Sequence, residues 1–266
     1  MEKSITKLAI MMAMFMSVTI VVSCGGDDDE VDGGGSVVNP ASSKRISKMK
    51  CVEDNSVTGR WENEEYFFYD SQGRVIKLKE IKFGKDASVS TTIFDYEGNV
   101  INSITDTKWG TEKHNYILSN GRIIKDEENS DYITNYSYDN NGYIISSESP
   151  SKKILFTWTN GNLTKYTEYT EAPDNYSIQM EYTSIPWPKN FFFYIKGTNM
   201  EKCLEPLGAW GKMPKNLPSK YKAGDGTETF MDYSYTIENG LVTKIDIYYR
   251  ISIYEYLTAT YTIEWE

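Results

Sequence analysis

The sequence has 266 residues, a formal net charge of −10 at pH 7 and 39% hydrophobic residues. This acidic balance argues against nucleic acid or an anionic membrane as an electrostatic partner of the chain. The stretch that follows residue 43 has a length that suits a single domain, which we expect to span residues 44–266.

The first 23 residues have the features of a lipoprotein signal peptide. Lys3 and Lys7 precede an uncharged apolar run, Leu8–Val22, which is shorter than the ~20 residues that a membrane-spanning helix needs. The run ends in VVSC, which resembles the bacterial lipobox, where the cysteine is acylated and becomes the new N-terminus. We therefore predict that Cys24 is lipidated and that its acyl chains anchor the protein in a membrane.

Residues 24–43 are dominated by Gly, Ser, Pro and Asp, which predicts a flexible acidic tether. Its acidic run, Asp27, Asp28, Asp29 and Glu30, resembles the export signal of Bacteroidetes surface lipoproteins. That resemblance implies an outer-membrane protein that faces the cell exterior. The alternative is a solvated run of charges in a linker, with no address information.

A repeated turn dominates the rest of the sequence. Asn-Gly recurs at 120–121, 141–142, 160–161 and 239–240, and Gln72-Gly73 and Glu97-Gly98 take the same place in two more copies. Tight hairpin turns need residues that tolerate positive φ, which Asn and Gly do best. Further polar turns lie between them at 83–88, 106–112, 126–131 and 148–153. The pattern predicts an all-β fold: a strongly curved antiparallel meander or open barrel of many short strands.

The C-terminal region has the two-residue period of strands with one buried face. Apolar residues occupy the odd positions from Ile245 to Ile253 and from Leu257 to Trp265. The run is too long for one strand, so we expect a turn or sharp bend near residues 250–255. Three tyrosines, Tyr248, Tyr254 and Tyr256, fall on the otherwise polar phase.

One short, partly helical excursion is predicted around 185–223, where alternation stops and five of the eight prolines occur. A short helix is expected to begin at the apolar run Phe191, Phe192, Phe193 and Ile195, and a second at Met200–Leu207. We expect this segment to cover one end or face of the curved sheet, because a bare apolar opening or long edge invites aggregation.

The order of motifs resembles a family of uncharacterised Bacteroidetes lipoproteins that is defined only as a domain of unknown function. The matching motifs are the YD-x-x-G hairpins, WTNGN (158–162), GKMPKNLP (211–218) and YTIENGLVTKI (235–245), and the likeness covers most of residues 60–266. The hairpins are also similar to the YD repeats of large secreted shell proteins, whose arrays are longer. The family resemblance implies an all-β lipoprotein and supplies no catalytic residue.

Chemistry-bearing clusters are sparse in the sequence. His114 is the chain's one histidine, and no metal-ligand spacing or nucleophile elbow accompanies it, so we expect no catalytic residues, no metal site and no cofactor. Acid/base carboxylate pairs cannot be chosen from the sequence. Cys51 and Cys203 form a disulfide in one interpretation and are two small buried apolar residues in the other.

Aromatic residues are the positive signal for function. The chain has 21 Tyr, 10 Phe and 6 Trp, most of which are expected in the core or in cross-strand pairs. Those outside the buried phase are candidate ligand-binding residues: Trp109, Trp187, Trp210, Tyr248, Tyr254 and Tyr256. The leading hypothesis is a non-enzymatic surface protein that binds an extracellular macromolecule, most plausibly a glycan. Alternatives are a carrier of a hydrophobic small molecule or lipid, capped by residues 191–195, and a structural component of a cell-surface complex.

Overall fold

The computed structural model describes residues 44–55, 59–129, 132–170, 176–193, 209–224, 229–250 and 256–266, and these hold sixteen β-strands. In chain order the strands are β1 (Ile46–Asn55), β2 (Gly59–Tyr69), β3 (Val75–Phe83), β4 (Ser88–Glu97), β5 (Val100–Thr107), β6 (Gly110–Ser119), β7 (Arg122–Asn129), β8 (Tyr132–Tyr138), β9 (Ile144–Ser149), β10 (Lys152–Thr159), β11 (Asn162–Thr170), β12 (Tyr176–Pro186), β13 (Asn216–Gly224), β14 (Thr229–Glu238), β15 (Leu241–Arg250) and β16 (Tyr256–Trp265).

The strands form one closed antiparallel barrel. Each strand pairs with its neighbours in the chain, and β1 pairs with β16. The seam extends to the ends of the domain, where the backbone N–H groups of Arg45 and Glu266 each donate to the other residue's carbonyl, at 3.1 and 2.8 Å. The all-β, antiparallel prediction is therefore confirmed, but the expected open sheet is wrong. Closure pairs both terminal strands and leaves the sheet without an edge.

The hairpin turns fall where the sequence predicts them. Asn120, Asn160 and Asn239 have φ values of 50°, 52° and 54°, and the glycine after each also has positive φ, as a type I′ turn requires. The long C-terminal run is divided, as expected, between β15 and β16. Odd-numbered residues face the barrel interior from Ile245 to Tyr249 in β15 and from Ala259 to Ile263 in β16, with Ile245, Ile247 and Ala259 almost fully buried.

The predicted excursion differs from the structure in two ways. Residues 191–193 are not helical, no helix occurs in the described parts of the chain, and the second predicted helix lies outside them together with Ile195. Residues 216–223, which we expected in the excursion, belong to β13 of the barrel. The proline-rich composition hid this strand because Pro218 removes a backbone donor and the β12–β13 register is irregular beside it.

One end of the barrel is built by a repeated aromatic contact, and we call it the aromatic end. It is the end at which the even-numbered strands finish. There, a Tyr or Trp side chain on the inner face donates a hydrogen bond to a carbonyl near the start of the odd-numbered strand that precedes it in the chain and lies next to it in the barrel. The seven donor and acceptor pairs are Tyr69–Ile46, Tyr96–Val75, Tyr138–Ile123, Trp158–Ile144, Tyr182–Leu163, Tyr235–Pro218 and Trp265–Val242, at 2.5 to 2.9 Å.

The eighth even-numbered strand, β6, departs from this repeat and shows what the contact needs. In each of the seven cases, the register of the strand pair that contains the acceptor residue is irregular next to that residue. The β4–β5 hairpin has none, and Glu97 pairs directly with Val100. Leu118 stands in the aromatic position that follows, and its backbone N–H donates to the carbonyl of Asn99 at 2.8 Å. A bulge therefore accompanies each carbonyl that accepts an aromatic donor.

Candidate functional site

An apolar plug fills the barrel interior near the aromatic end. Phe191, Phe192 and Phe193 follow β12, and Trp210 precedes β13; all four are nearly completely buried. Phe192 packs edge-on against Phe67 of β2, with ring centroids 5.4 Å apart. Contacts with opposite parts of the barrel wall therefore hold the segment inside rather than over it.

The remaining plug contacts reach other walls of the barrel. Phe193 meets Tyr233 and Tyr261 edge-on, at 6.3 and 5.1 Å, on β14 and β16. Trp210 packs against Tyr136 of β8 at 5.3 Å. Phe191, Phe192 and Phe193, which the sequence predicts to line or cap a cavity, therefore lie inside the barrel, and their role toward a ligand stays a prediction.

The GKMPKNLP segment fastens the plug to the hairpin turns. The backbone N–H of Lys212 donates to Gly142 at 2.9 Å, and that of Lys215 donates to Gly161 at 2.8 Å. A Cβ atom on Gly211, whose φ is 93°, would lie 2.5 Å from the carbonyl oxygen of Gly142, so only glycine fits there. This motif, which carries the family resemblance, therefore has a structural role at the aromatic end.

A belt of buried polar side chains crosses the interior between the plug and the opposite end of the barrel, which we call the polar end. Its members are Glu53, Asn63, Glu65, Glu80, Thr92, Ser103, Asp126, Thr134, Ser147 and Glu168. The polar residues occupy the same inward phase as the apolar residues nearer the aromatic end, as Asn63 and Glu65 do beside Phe67. A belt of this kind separates an apolar layer from the barrel mouth.

Two carboxylates of the belt lie directly opposite each other. Glu65 of β2 pairs in register with Glu80 of β3. The side-chain amide of Asn63 donates to Glu65 Oε1 at 3.1 Å, and Ser90 Oγ donates to Glu80 Oε2 at 3.3 Å. Lys82 Nζ lies 3.4 Å from Glu80 Oε1 and supplies the nearby positive charge. This is a polar centre in an otherwise apolar interior.

Among the buried polar atoms without a hydrogen-bond partner in the described parts of the chain are Oδ1 of Asn63, in the belt, and Nε1 of Trp210, in the plug. One is an acceptor and the other is a donor. An unsatisfied buried group of either kind costs about 1–3 kcal/mol, so both would gain from a complementary group on a bound molecule.

His114 lies beside the belt on the same inward phase and is only half-buried. Its Nδ1 lies 3.0 Å from Asp126 Oδ1, and its ring stacks on Tyr116 at 5.6 Å. Ser103 of β5 is opposite His114 in register, so a serine, a histidine and an aspartate lie on three neighbouring strands. The sequence analysis missed Asp126 as the partner, because their twelve-residue separation becomes a contact only through the β6–β7 pairing.

The outer wall has the opposite chemistry to the interior. Charged side chains on neighbouring strands form ion pairs across it, including Lys48–Glu64 at 3.0 Å and Lys222–Glu181 at 2.6 Å. The hydrogen bond from Lys222 lowers the pKa of Glu181, although partial burial acts in the other direction. In the described strands no continuous apolar band of the kind found on bilayer-spanning barrels encircles this wall.

The structure separates the predicted ligand-binding aromatics instead of aligning them. Trp109 projects from the β5–β6 turn at the polar end and is 79% exposed, while Tyr248 is 39% exposed on the outer face of β15. Trp187 and Trp210 belong to the plug region, where Trp187 Nε1 donates to the carbonyl of Phe191 at 2.7 Å. Tyr254 lies outside the described residues. Tyr256 begins β16, but its side chain is not described.

Most of the remaining predicted site residues lie outside the described parts of the chain. Cys24 and the acidic residues 27–30 lie outside the described residues, as does Cys203. Cys51 is buried on the inner face of β1. The Cys51–Cys203 bridge, the lipidation and the export signal therefore stay predictions. The described residues include no helix long and apolar enough to cross a membrane, and no group of three or more His, Cys, Asp or Glu placed to hold a metal ion.

Solved structures that are similar to this chain include proteins from two Bacteroides species. The chain is similar to a porin-like protein from Bacteroides uniformis, with a TM-score of 0.64 and 16% identity over 82% of this chain and 98% of that one. It is also similar to a porin-like protein from Bacteroides vulgatus, with a TM-score of 0.53 and 15% identity over 84% and 98%. No protein-family model and no curated protein matches the sequence. At these identities the likeness shows a shared barrel fold.

Proposed function

We propose that this protein is a lipid-anchored, non-enzymatic carrier that binds a hydrophobic small molecule or lipid inside its barrel, at the outer face of the outer membrane. The observation that carries the proposal is the distribution of side chains: the barrel is apolar within, ion-paired without, and plugged by its own residues near one end. An aqueous pore would have a polar interior and an apolar outer band. This barrel has a largely apolar interior crossed by the polar belt, and an outer wall with many ion pairs, which fits a ligand-carrying barrel in water better than a pore.

The polar belt supports an amphipathic ligand. A molecule that enters from the polar end would place its apolar part against the aromatic residues of the plug and its polar group at the belt. Asn63 Oδ1 offers an acceptor and Trp210 Nε1 offers a donor. Most small-molecule sites combine an apolar lining with a few such groups that fix the orientation of the ligand.

The glycan hypothesis has less support from the geometry. Sugar recognition through stacking needs aromatic rings along one exposed groove. Trp109 and Tyr248 are exposed, but β16 and β1–β4 separate their positions around the barrel. Trp187 and Trp210 pack within the plug region. The proposed outer-membrane location, lipid anchor and outward orientation rest on the signal peptide, Cys24 and the acidic run of the sequence.

The carrier proposal is tested by native mass spectrometry of residues 24–266, a chain that retains all sixteen strands. We expect a bound, lipid-sized mass that is lost on mild activation. Ala259, which is buried on the inner face of β16, is replaced in Ala259→Trp to fill the interior, and Leu155→Trp on the outer face of β10 is the matched control. The bound mass should be lost from the first variant and kept by the second.

A fluorescent apolar probe gives a second measurement that does not depend on copurified ligand or on that variant. N-phenyl-1-naphthylamine should bind the wild-type chain saturably, and a long-chain fatty acid should displace it. A clean apo mass together with no saturable probe binding would overturn the proposal. Saturable binding of a polysaccharide by the same preparation, abolished by Trp109→Ala, would favour the glycan alternative instead.

A further inference from the structure

The outer wall has one region that differs from the rest, formed by β3, β4 and β5. Ile93 and Ile104 face each other across β4 and β5 and are 48% and 43% exposed. Toward the polar end, Ile81 and Val89 face each other across β3 and β4, and Phe83 follows on the same face. We call these five side chains the β3–β5 patch. Other exposed apolar residues of the wall are more isolated; Leu155, for example, lies opposite Ser146 and Thr167.

The lysines around this patch also differ from those elsewhere. Lys77 and Lys113 flank the Ile93–Ile104 pair in the same cross-strand row, and Lys79 lies in the next row. None of the three forms an ion pair with a described residue. On other parts of the wall, several lysines are neutralised by carboxylates, as in Lys50–Glu62, Lys153–Glu148, Lys220–Asp232 and Lys244–Asp246.

Trp109 extends the patch at the polar end. It lies in the turn that follows β5, with its ring 79% exposed. The ammonium group of Lys108 sits 4.4 Å from the centre of that ring. A tryptophan with a neighbouring cation, next to exposed aliphatic side chains, is suited to the boundary between water and lipid headgroups. The patch and this turn together form one amphipathic surface.

We propose that the β3–β5 patch and Trp109 dock the side of the barrel on an anionic phospholipid bilayer. Each lysine near such a surface contributes about 1 kcal/mol, and the exposed aliphatic side chains add apolar burial. The acidic residues on the outer faces of these three strands are Asp95, Glu97 and Asp106, and Asp106 accepts a hydrogen bond from Thr111 at 2.8 Å. The chain's net charge of −10 opposes binding as a whole. Its effect at the patch is limited because charges beyond about 10 Å are screened at physiological salt.

The surface matches the predicted anchor. Residues 24–43 reach roughly 70 Å when extended, which lets a barrel held by Cys24 lie with its side on the same membrane. This docking is independent of the carrier proposal, since it concerns the outer wall and does not involve the belt or the plug. It would bring the polar end of a carrier close to a lipid surface.

Vesicle sedimentation tests the proposal on residues 24–266 with Cys24→Ser, so that no acyl chain contributes. The probes are phosphatidylcholine vesicles and vesicles in which about one third of the lipid is phosphatidylglycerol. We expect at least about tenfold tighter binding to the anionic vesicles, lost at high salt. The double variant Ile93→Glu/Ile104→Glu should weaken that binding about tenfold or more, which corresponds to about 1.4 kcal/mol.

The matched control is Ile145→Glu/Leu155→Glu, which places the same charges at exposed aliphatic positions on β9 and β10. It should bind the anionic vesicles like wild type, and circular dichroism melting should show all three proteins folded. Equal binding to both vesicle types, or equal loss in both double variants, would overturn the proposal. A wild-type dimer in gel filtration that Ile93→Glu/Ile104→Glu converts to a monomer would overturn it as well, because the patch would then bind a second copy. The readout is separate from copurified ligand, so this proposal and the carrier can fail independently.

Discussion

The two ends of the barrel are built in different ways. At the aromatic end, one contact between an aromatic donor and a strand-entry carbonyl occurs seven times, and the guanidinium groups of Arg45, Arg74 and Arg122 lie over three of the rings. At the polar end, the inward residues are a mixed set of carboxylates, hydroxyls, an amide and a histidine with no repeated contact. Repetition therefore builds the scaffold, and the variable end is where a specific ligand would be recognised.

The largest expected effect concerns alkaline pH. Burial raises the pKa of Tyr69, Tyr96, Tyr138, Tyr182 and Tyr235 above the ordinary range. Their stabilising contribution is complete below pH ~10, the unfolded pKa, and is lost as pH rises, because the unfolded chain then releases protons that the folded barrel keeps. The five together should lower the free energy of unfolding by about 7 kcal/mol per pH unit above pH 10.

Urea unfolding at a series of pH values measures this slope. Tyr96→Phe should reduce it by about 1.4 kcal/mol per pH unit, since one titrating group is removed. A free energy of unfolding that is constant between pH 10 and 11 would show that the tyrosines at the aromatic end are not protected from ionisation.

The next effect concerns the plug. Phe192→Ala should lower the free energy of unfolding by about 3–5 kcal/mol, because a fully buried ring that packs on Phe67 is removed from the interior. Phe68→Ala is the matched control. Phe68 follows Phe67 in β2, points out of the barrel and is 44% exposed. The control should cost less than about 1 kcal/mol. Similar losses in both variants, measured by urea unfolding, would mean that the plug is not part of the folded core.

How far the sequence predicts this molecule follows from the range of each interaction. Turn residues act locally, so Asn120-Gly121 and its repeats located the hairpins, and the two-residue period identified the buried face of β15 and β16. Closure depends on the pairing of β1 with β16, which joins residues more than two hundred positions apart. No local pattern encodes that contact. The open sheet was therefore a reasonable expectation that the structure corrects.

The candidate site was less predictable than the fold. Asn63 and Glu65 alternate in phase with Phe67, so the sequence indicates that they point to the same face of β2. Polar residues usually mark a solvent-facing side of a strand, so only the closed barrel shows that this face is buried. Trp187 and Trp210 were candidates for an exposed surface and instead lie in the plug region. Their role depends on which walls residues 187–193 and 209–215 contact, and that is a tertiary property.

A smaller effect tests a single aromatic contact. Tyr96→Phe removes the donor to the carbonyl of Val75, which is 2.7 Å away, and should cost about 1–2 kcal/mol near neutral pH. Tyr66→Phe is the control, because its hydroxyl donates to Glu64 on the outer wall, where water can replace it. Its cost should be below about 1 kcal/mol. If the two variants lose equal stability in urea, the repeated hydrogen bond does not distinguish the aromatic end.

The smallest effect on stability is expected at the polar end. Trp109→Ala should change the free energy of unfolding by no more than about 0.5 kcal/mol, because the ring is 79% exposed and its ring contact is with Lys108. Trp158→Ala, at the aromatic end, removes an indole that donates to Ile144 at 2.6 Å and packs on Tyr143 at 4.5 Å. That variant should cost about 3 kcal/mol or more. If Trp109→Ala has that small effect, the exposed ring of Trp109 does not serve stability, and contact with a molecule outside the chain would explain it. A large loss of stability in Trp109→Ala would remove that distinction between the two ends.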